Sequence, residues 1–254
     1  MQQLRDPESG CPWDRKQNYQ TILPYTIEEV YEVADAIERE NFSDLKDELG
    51  DLLFQVVFYA QLASEDGYFD IFDVVESISK KLTRRHPHVF ANKTYADEGE
   101  VHRAWENQKH LERQSKNKDT KTQTASLLDD IPKVLPELKR AQKIQKRVAK
   151  QGFDWKNIQQ VWDKLEEESG EVKQAFDSGD ARHTEEEIGD LLFVCVNLAR
   201  HYNVDADFAL RKANQKFEKR FRQVENFADK AISEYSLDEL EKFWQKAKDE
   251  EKKF

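Results

Sequence analysis

The chain has 254 residues and a net charge of −11, with 36% charged and 38% hydrophobic residues. This charge argues against a nucleic-acid partner, because binding a phosphate backbone needs a basic surface. With only 8 glycines and 6 prolines, and with apolar residues at helical spacing, the sequence predicts an all-α protein. No apolar run reaches the ~20 residues of a membrane helix, and the N-terminus lacks a signal-peptide core, so we expect a cytoplasmic protein without a membrane partner.

The N-terminal half begins with a stretch rich in Pro, Gly and Asp, which predicts a loop over residues 1–23. Helical spacing of apolar residues starts at Pro24. Ser43 is a candidate N-cap for a second helix that extends to about residue 65. Further helices are predicted over 71–85, where a proline follows at position 87, and over 101–113.

The polar stretch at residues 112–124 contains no apolar side chain, which is typical of a linker. It would join an N-terminal unit, residues 1–111, to a C-terminal unit, residues 125–254. The alternative is that this stretch extends a solvated helix.

The C-terminal half has five segments with helical spacing and no convincing strand. They cover residues 132–151, 157–177, 184–201, 205–231 and 236–252. Ser236 with Glu239 is a predicted capping box. Cys195 falls within an apolar run and is expected to be buried, whereas Cys11 lies in a loop; no disulfide framework is implied. The fold prediction is therefore two tandem helical bundles.

An acidic motif occurs once in each half. Glu167, Glu168 and Glu171 are followed by Glu187 and Asp190, and the same pattern stands earlier as Glu28, Glu29, Glu32, Glu48 and Asp51. The offset between the copies is constant, since 167 − 28, 171 − 32, 187 − 48 and 190 − 51 all give 139. Two residues separated by this offset are called repeat equivalents below. In both copies an apolar run follows the aspartate directly, so this acidic motif adjoins a core-forming segment.

Carboxylates at positions i and i+3 project from one face of a helix. Since a short turn joins the two helices, four carboxylates are predicted to meet between them: Glu168 and Glu171 with Glu187 and Asp190. Such a cluster repels itself unless a cation neutralises it. Oxygen ligands without nearby His or Cys favour Mg²⁺, with Mn²⁺ as a substitute.

Three other interpretations compete with a metal site. The acids of one copy can form an ordinary solvated helix face, although their recurrence in register weakens that interpretation. A non-catalytic helical interaction protein would use them only for solubility. A di-iron carboxylate bundle would need ExxH motifs on two helices, and neither acidic segment contains one.

Several stretches carry a resemblance to a known family, and they span nearly the whole chain. Among them are LRDP with GCPWD, PYTIEE, GDLLFQVVF, RRHPHVF, RAQKIQ, GFDW, EEEIGDLLF and VNLARH. Together they resemble the MazG family of nucleoside triphosphate pyrophosphohydrolases, which belongs to the all-α NTP pyrophosphatases. The resemblance implies Mg²⁺-dependent hydrolysis of NTPs or dNTPs to the monophosphate and pyrophosphate, with broad base specificity and a role in cleansing the nucleotide pool.

The resemblance also implies roles for individual residues. Metal ligation falls on Glu168, Glu171, Glu187 and Asp190, and equivalently on Glu29, Glu32, Glu48 and Asp51. Glu167 is the candidate for orienting or deprotonating the attacking water; a salt bridge beside the ligands is the alternative. Nucleotide binding falls on Lys164, Glu167, Glu186, Asn214, Lys216, Lys219, Arg220 and Trp244. Core packing is the alternative for Trp244.

The C-terminal copy is the expected main catalytic site. The first copy aligns Ser79 with Asn214, so it is expected to be degenerate or weaker. Each half offers too few helices to enclose its acidic face, and a homodimer that pairs repeats is therefore expected.

Overall fold

A computed structural model describes residues 1–118, 126–129 and 131–252. Within these ranges the regular elements are α-helices, with short 3₁₀ segments at Asp14–Lys16 and Ile232–Glu234. The α-helices in chain order are α1 (Tyr19–Glu38), α2 (Phe42–Glu65), α3 (Ile71–Arg85), α4 (Pro87–Phe90), α5 (Glu98–Lys118), α6 (Glu137–Ala149), α7 (Ile158–Ser178), α8 (Ala181–His201), α9 (Ala206–Phe227) and α10 (Leu237–Glu251). The all-α prediction is confirmed.

The chain divides into two compact units, Met1–Lys121 and Thr122–Phe254. The first contains α1 to α5 and the second α6 to α10, as the prediction of tandem helical repeats requires. Helix α5 continues to Lys118, well into the stretch predicted as a linker from residue 112. The remainder of that stretch, residues 119–124, lies outside the described residues.

Local capping explains where several helices begin. Helix α1 starts at Tyr19, before Pro24, because Asn18 forms a capping box with Thr21, so the predicted loop over 1–23 is too long. Helix α2 starts at Phe42, capped by Asn41, and the prediction of Ser43 as the N-cap was wrong. The capping box of Ser236 and Glu239 is confirmed at the start of α10.

The other helix boundaries follow from proline and glycine. Helix α6 begins at Glu137, later than predicted, because Pro136 disfavours a helical conformation at the residue before it. It ends before Gly152, which has a φ of +86°. Gly179, at φ +75°, ends α7 in the left-handed conformation, and Asp180 caps α8 immediately afterwards.

Each unit is built around a pair of consecutive helices, α1 with α2 and α7 with α8. Ala36 and Ala175 are repeat equivalents, and both are fully buried; small side chains there allow the helices to approach closely. Ile22, Phe58 and Leu62 form the core cluster of the first unit. Val161, the repeat equivalent of Ile22, is fully buried in the second.

The apolar runs of α2 and α8 are only partly buried. In α8, Val194 and Val196 are buried, whereas Leu192 and Cys195 are exposed. The prediction that Cys195 is buried was wrong, because this residue lies on the outer side of the helix. Cys11 and Cys195 are both free thiols.

The GFDW stretch anchors the loop between α6 and α7 to the end of α8. Arg200 donates a hydrogen bond from Nη1 to Asp154 Oδ2 (2.9 Å) and one from Nε to Asn197 Oδ1 (3.1 Å). His201 Nε2 lies 3.2 Å from Asp154 Oδ1. Two of the motifs that carry the family resemblance thus meet in one polar network, which fixes the end of α8 relative to the loop before α7.

None of the helices in the described ranges combines the length and the apolar character that crossing a bilayer would require.

Candidate active site

Three carboxylates converge between α7 and α8. Oxygen atoms of Glu168, Glu171 and Glu187 lie within 4.8 Å of one another. Glu168 is 5% exposed, and its Oε2 is buried without a hydrogen-bond partner. Burial raises the pKa of Glu171 above its usual value; Lys164 opposes that rise, and Glu168 and Glu187 add to it. The structure therefore brings together three of the four acids that the sequence motif singled out.

Lys164 lies one turn before the acids on α7. Its Nζ contacts Glu167 Oε1 at 2.8 Å and Glu168 Oε1 at 2.7 Å. Hydrogen bonds to these two glutamates raise the pKa of Lys164, Glu167 first. Lys164 therefore adds a positive charge to the cluster and holds Glu167 beside it. On α8, His183 Nδ1 lies 3.4 Å from Glu187 Oε1.

Two predicted residues of α8 lie outside this group of three. Asp190, one turn after Glu187, is exposed, and its carboxylate is not among those within 4.8 Å of one another. Glu186 is also exposed. Helix periodicity predicts Asp190 on the side that faces α7, but in the structure the group within 4.8 Å consists of Glu168, Glu171 and Glu187 without it.

The N-terminal unit contains an equivalent cluster with different members. Glu29, Glu48 and Asp51 have oxygen atoms within 4.8 Å of one another, and Glu32 is not among them. Burial raises the pKa of Glu29, and the charges of Asp51 and Glu32 raise it further. Glu29 Oε2 is buried without a partner, as is Oε2 of its repeat equivalent, Glu168.

Both clusters suit a hard divalent cation. Their donors are carboxylate oxygens, which Mg²⁺ and Mn²⁺ prefer. Each also has one buried carboxylate oxygen that no donor in the described residues satisfies. A buried and unpaired carboxylate oxygen is costly, and a metal ion is one way to compensate it.

Three of the predicted nucleotide-binding cations, Lys216, Lys219 and Arg220, lie on α9, which packs against α10 and α6. Arg220 donates from Nε to Glu251 Oε2 of α10 at 2.9 Å, and its guanidinium lies 5.8 Å from the centre of the Trp244 ring. Trp244 also packs against Phe217, with ring centres 5.0 Å apart. Lys216 and Lys219 line a groove of about 560 Å³ between α9 and α10, together with Glu251. Asn214 is exposed on α9.

The predicted site residues of the C-terminal unit thus form two groups. Arg220 and Trp244 contact each other across α9 and α10, whereas the carboxylate oxygens of Glu168 and Glu187 approach each other across α7 and α8.

Two further residues of the N-terminal unit have repeat equivalents near the predicted nucleotide-binding residues but were not among the predicted site residues. Glu112 and Trp105 are the repeat equivalents of Glu251 and Trp244. Glu112 pairs with Arg84 and Arg85 of α3, at 2.7 and 2.5 Å, as Glu251 pairs with Arg220. These bonds, Arg85 first, lower the pKa of Glu112 to about 2. Extending the repeat offset past the acidic motif would have identified both residues, including an aromatic counterpart of Trp244 in the first unit.

A family model for the MazG nucleotide pyrophosphohydrolase domain matches the chain twice, at residues 17–90 and 156–225. These matches cover α1 to α4 and α7 to α9, and so include both acidic clusters. The chain belongs to the MazG family. The resemblance inferred from sequence motifs is confirmed.

Relatives within the MazG family align over nearly the full chain. It is 53% identical to the nucleoside triphosphate pyrophosphohydrolase of Escherichia coli K12, over 99% of this chain and 95% of that protein. It is 44% identical to the nucleoside triphosphate pyrophosphohydrolase/pyrophosphatase MazG of Thermotoga maritima, over 98% of this chain and 92% of that protein. It is also 40% identical to the uncharacterized protein YabN of Bacillus subtilis, over 100% of this chain and 51% of that protein.

Proposed function

We propose that this chain is a nucleoside triphosphate pyrophosphohydrolase that converts NTPs and dNTPs to the monophosphate and pyrophosphate. The observation that carries the proposal is the cluster of Glu168, Glu171 and Glu187, with its buried and unpartnered Glu168 oxygen. Membership of the MazG family and the names of the two full-length relatives support the same activity. Broad base specificity and a role in cleansing the nucleotide pool, in the cytoplasm, are part of this proposal.

The cofactor we propose is Mg²⁺, with Mn²⁺ as a substitute, held by Glu168, Glu171 and Glu187. Asp190 completes the set from one turn further along α8. When bound, the metal neutralises the anionic phosphate oxygens and stabilises the pyrophosphate leaving group. The protein contributes the placement of these oxygens, because the α7–α8 pair holds one from each of the three glutamates within 4.8 Å of the others.

Glu167 is the residue we assign to orienting the attacking water and accepting its proton. Its carboxylate is exposed at the edge of the cluster, and Lys164 holds it there at 2.8 Å. A general base must lie within hydrogen-bond reach of its water, and the contact with Lys164 restricts the Glu167 carboxylate to orientations near the cluster.

The remaining residues are assigned to the nucleotide. Lys216, Lys219 and Arg220 would bind phosphate oxygens. Glu251 accepts a hydrogen bond from Nε of Arg220, and we assign the Nη groups of Arg220 to the ligand. Trp244 would stack on the base, and stacking of this kind tolerates any base identity. Glu186, Asn214 and Lys164 complete this proposed set.

The N-terminal unit is proposed as the secondary site. Glu29, Glu48 and Asp51 form its cluster, with Glu32 as the further acid. We assign turnover mainly to the C-terminal unit, where Lys164 orients Glu167; the repeat equivalent of Lys164 is Tyr25.

The partner we propose is a second copy of the chain. Both units expose apolar side chains at equivalent positions of α2 and α8: Leu49 and Ile188, Leu53 and Leu192, Phe54 and Phe193. A large apolar patch commonly marks a protein interface. No nucleic-acid or membrane partner is proposed, in keeping with the net charge of −11.

The decisive experiment incubates the protein with a panel of NTPs and Mg²⁺ and identifies the products. Monophosphate and pyrophosphate are expected; diphosphate and phosphate would refute the proposal. Glu187→Gln should lower kcat by at least about 100-fold, since it removes one of three clustered carboxylates. The matched control is Glu185→Gln, an exposed acid slightly earlier on α8 that should retain activity.

A further inference from the structure

The two carboxylate clusters occupy equivalent repeat positions, but only the C-terminal one is observed with a lysine inside it. Lys164 Nζ lies 2.7 Å from Glu168 Oε1, and the side chains are 30% and 6% accessible. Because Glu168 is so well shielded, water screens this pair only weakly. The lysine therefore compensates part of the negative charge that a metal ion would otherwise neutralise.

In the N-terminal cluster a tyrosine replaces this lysine. Tyr25 is the repeat equivalent of Lys164, and its ring packs edge-on against Trp13, with centres 5.7 Å apart. Across the described ranges no ion pair joins Glu29, Glu48 or Asp51 to a cation. The N-terminal carboxylates are thus without the internal counterion that their repeat has.

A neutral amide contacts the N-terminal cluster. Gln55 Nε2 lies 3.4 Å from Glu29 Oε1, and Gln55 is 6% exposed, with its Oε1 buried and unpartnered. The equivalent residue in the second unit is Val194, which is buried and apolar. An amide oxygen is a hard ligand that adds no charge, so Gln55 can orient Glu29 and supply a further oxygen to a cation.

The charge beside the clusters also differs on α2 and α8, and it is again more negative in the N-terminal unit. His183 lies beside Glu187 in the C-terminal unit, and its repeat equivalent, Asp44, lies near Glu48 in the N-terminal unit. Arg39 pairs with Asp44 at 3.0 Å, which offsets part of that added charge. Both replacements nevertheless make the surroundings of the N-terminal cluster more negative.

We propose that the N-terminal cluster binds a divalent cation without nucleotide, whereas the C-terminal cluster binds it only together with a nucleoside triphosphate. Glu168 Oε2 is unpartnered, but a cation that takes both carboxylate oxygens also needs Oε1, and Lys164 must then leave that oxygen. A triphosphate offers the displaced ammonium a new anionic partner, so metal and nucleotide bind the C-terminal unit cooperatively. Among the described residues, no lysine pairs with the N-terminal cluster, so a cation there displaces none. The nucleotide part of this inference rests on the proposed function; the difference between the clusters does not.

The test measures Mn²⁺ binding to the full-length protein by the electron paramagnetic resonance signal of the free ion. Without nucleotide, the tightest binding should be removed by Glu48→Gln and retained by Glu187→Gln. These variants are matched, because the two residues are repeat equivalents. Adding an NTP analogue with a methylene bridge between the α and β phosphates should create further binding, which Glu187→Gln removes.

Lys164→Gln tests directly whether this lysine prevents nucleotide-free metal binding at the C-terminal cluster. It should produce nucleotide-independent Mn²⁺ binding at the C-terminal cluster at least about tenfold tighter than in the wild type, since one adjacent positive charge is lost. Lys173→Gln, an exposed lysine on the same helix, is the control that should change nothing. Circular dichroism confirms that each variant is folded.

Equal nucleotide-free binding at both clusters would overturn the inference. Nucleotide-free Mn²⁺ binding that Glu187→Gln removes and Glu48→Gln does not would also overturn it. The same holds if Lys164→Gln leaves the Mn²⁺ affinity of the C-terminal cluster unchanged. Because metal binding is the readout, these outcomes are independent of the product analysis that tests the proposed hydrolysis.

Discussion

The pairing of Arg220 with Glu251 should contribute both to stability and to nucleotide affinity. Arg220 Nε lies 2.9 Å from Glu251 Oε2, and the two side chains are 19% and 20% accessible. Exposed pairs typically contribute about 0.2–1 kcal/mol and charge-assisted hydrogen bonds about 1.5–3 kcal/mol, so this partly shielded pair should contribute about 1–2 kcal/mol. The pair also holds the guanidinium beside Trp244. Losing the pair should also raise the KM for nucleotide, because the guanidinium that we assign to phosphate binding is then no longer held in place.

A double-mutant cycle with Glu251→Gln and Arg220→Gln measures the coupling free energy by urea denaturation. The control cycle uses Glu218→Gln and Arg222→Gln, an exposed pair on α9 with a 3.6 Å separation, which should couple by about 0.5 kcal/mol or less. A coupling below about 0.3 kcal/mol for the first pair would refute the assignment. An unchanged KM for Glu251→Gln would refute the proposed positioning of Arg220.

Three further predictions concern the two units. Glu112→Gln should lower the free energy of unfolding at pH 7 by roughly 1–3 kcal/mol. The contacts with Arg85 and Arg84 lower the pKa of Glu112 from 4.5 to about 2. The difference in stability from the wild type should therefore disappear as the pH falls through that interval in acid titrations. Phe58→Ala should destabilise the first unit by about 3–5 kcal/mol in thermal unfolding, because Phe58 is 0% exposed, yet C-terminal turnover should persist. Leu192→Asp should weaken self-association, measured by sedimentation, and an unchanged mass would count against the proposed dimer face.

Much of the fold could be predicted from local sequence signals. The start of α10 follows from the Ser236 capping box, and the end of α7 follows from Gly179. Where the structure differs from these predictions, a competing local signal decides where the helix begins. Asn41 caps α2 in place of Ser43, and Asn18 starts α1 before Pro24.

The membership of each acidic cluster could not be predicted in the same way. Periodicity predicts that four carboxylates of each copy face one another. In the structure, however, Asp190 is left out of the C-terminal cluster and Glu32 is left out of the N-terminal one. Which acid of the four is left out depends on how the two helices cross, and a shift of one turn at that crossing moves a carboxylate by about 5 Å.

The sequence by itself determined the helical repeats, the family and the four acids from which each cluster is drawn, because these depend on spacing along one helix or across a short turn. Only the tertiary structure decided the longer-range pairs. It placed Arg220 on Glu251, Gln55 beside Glu29, and Cys195 on an open surface. Such contacts depend on the packing of whole helices, and packing responds to the summed shape of many side chains rather than to any local motif.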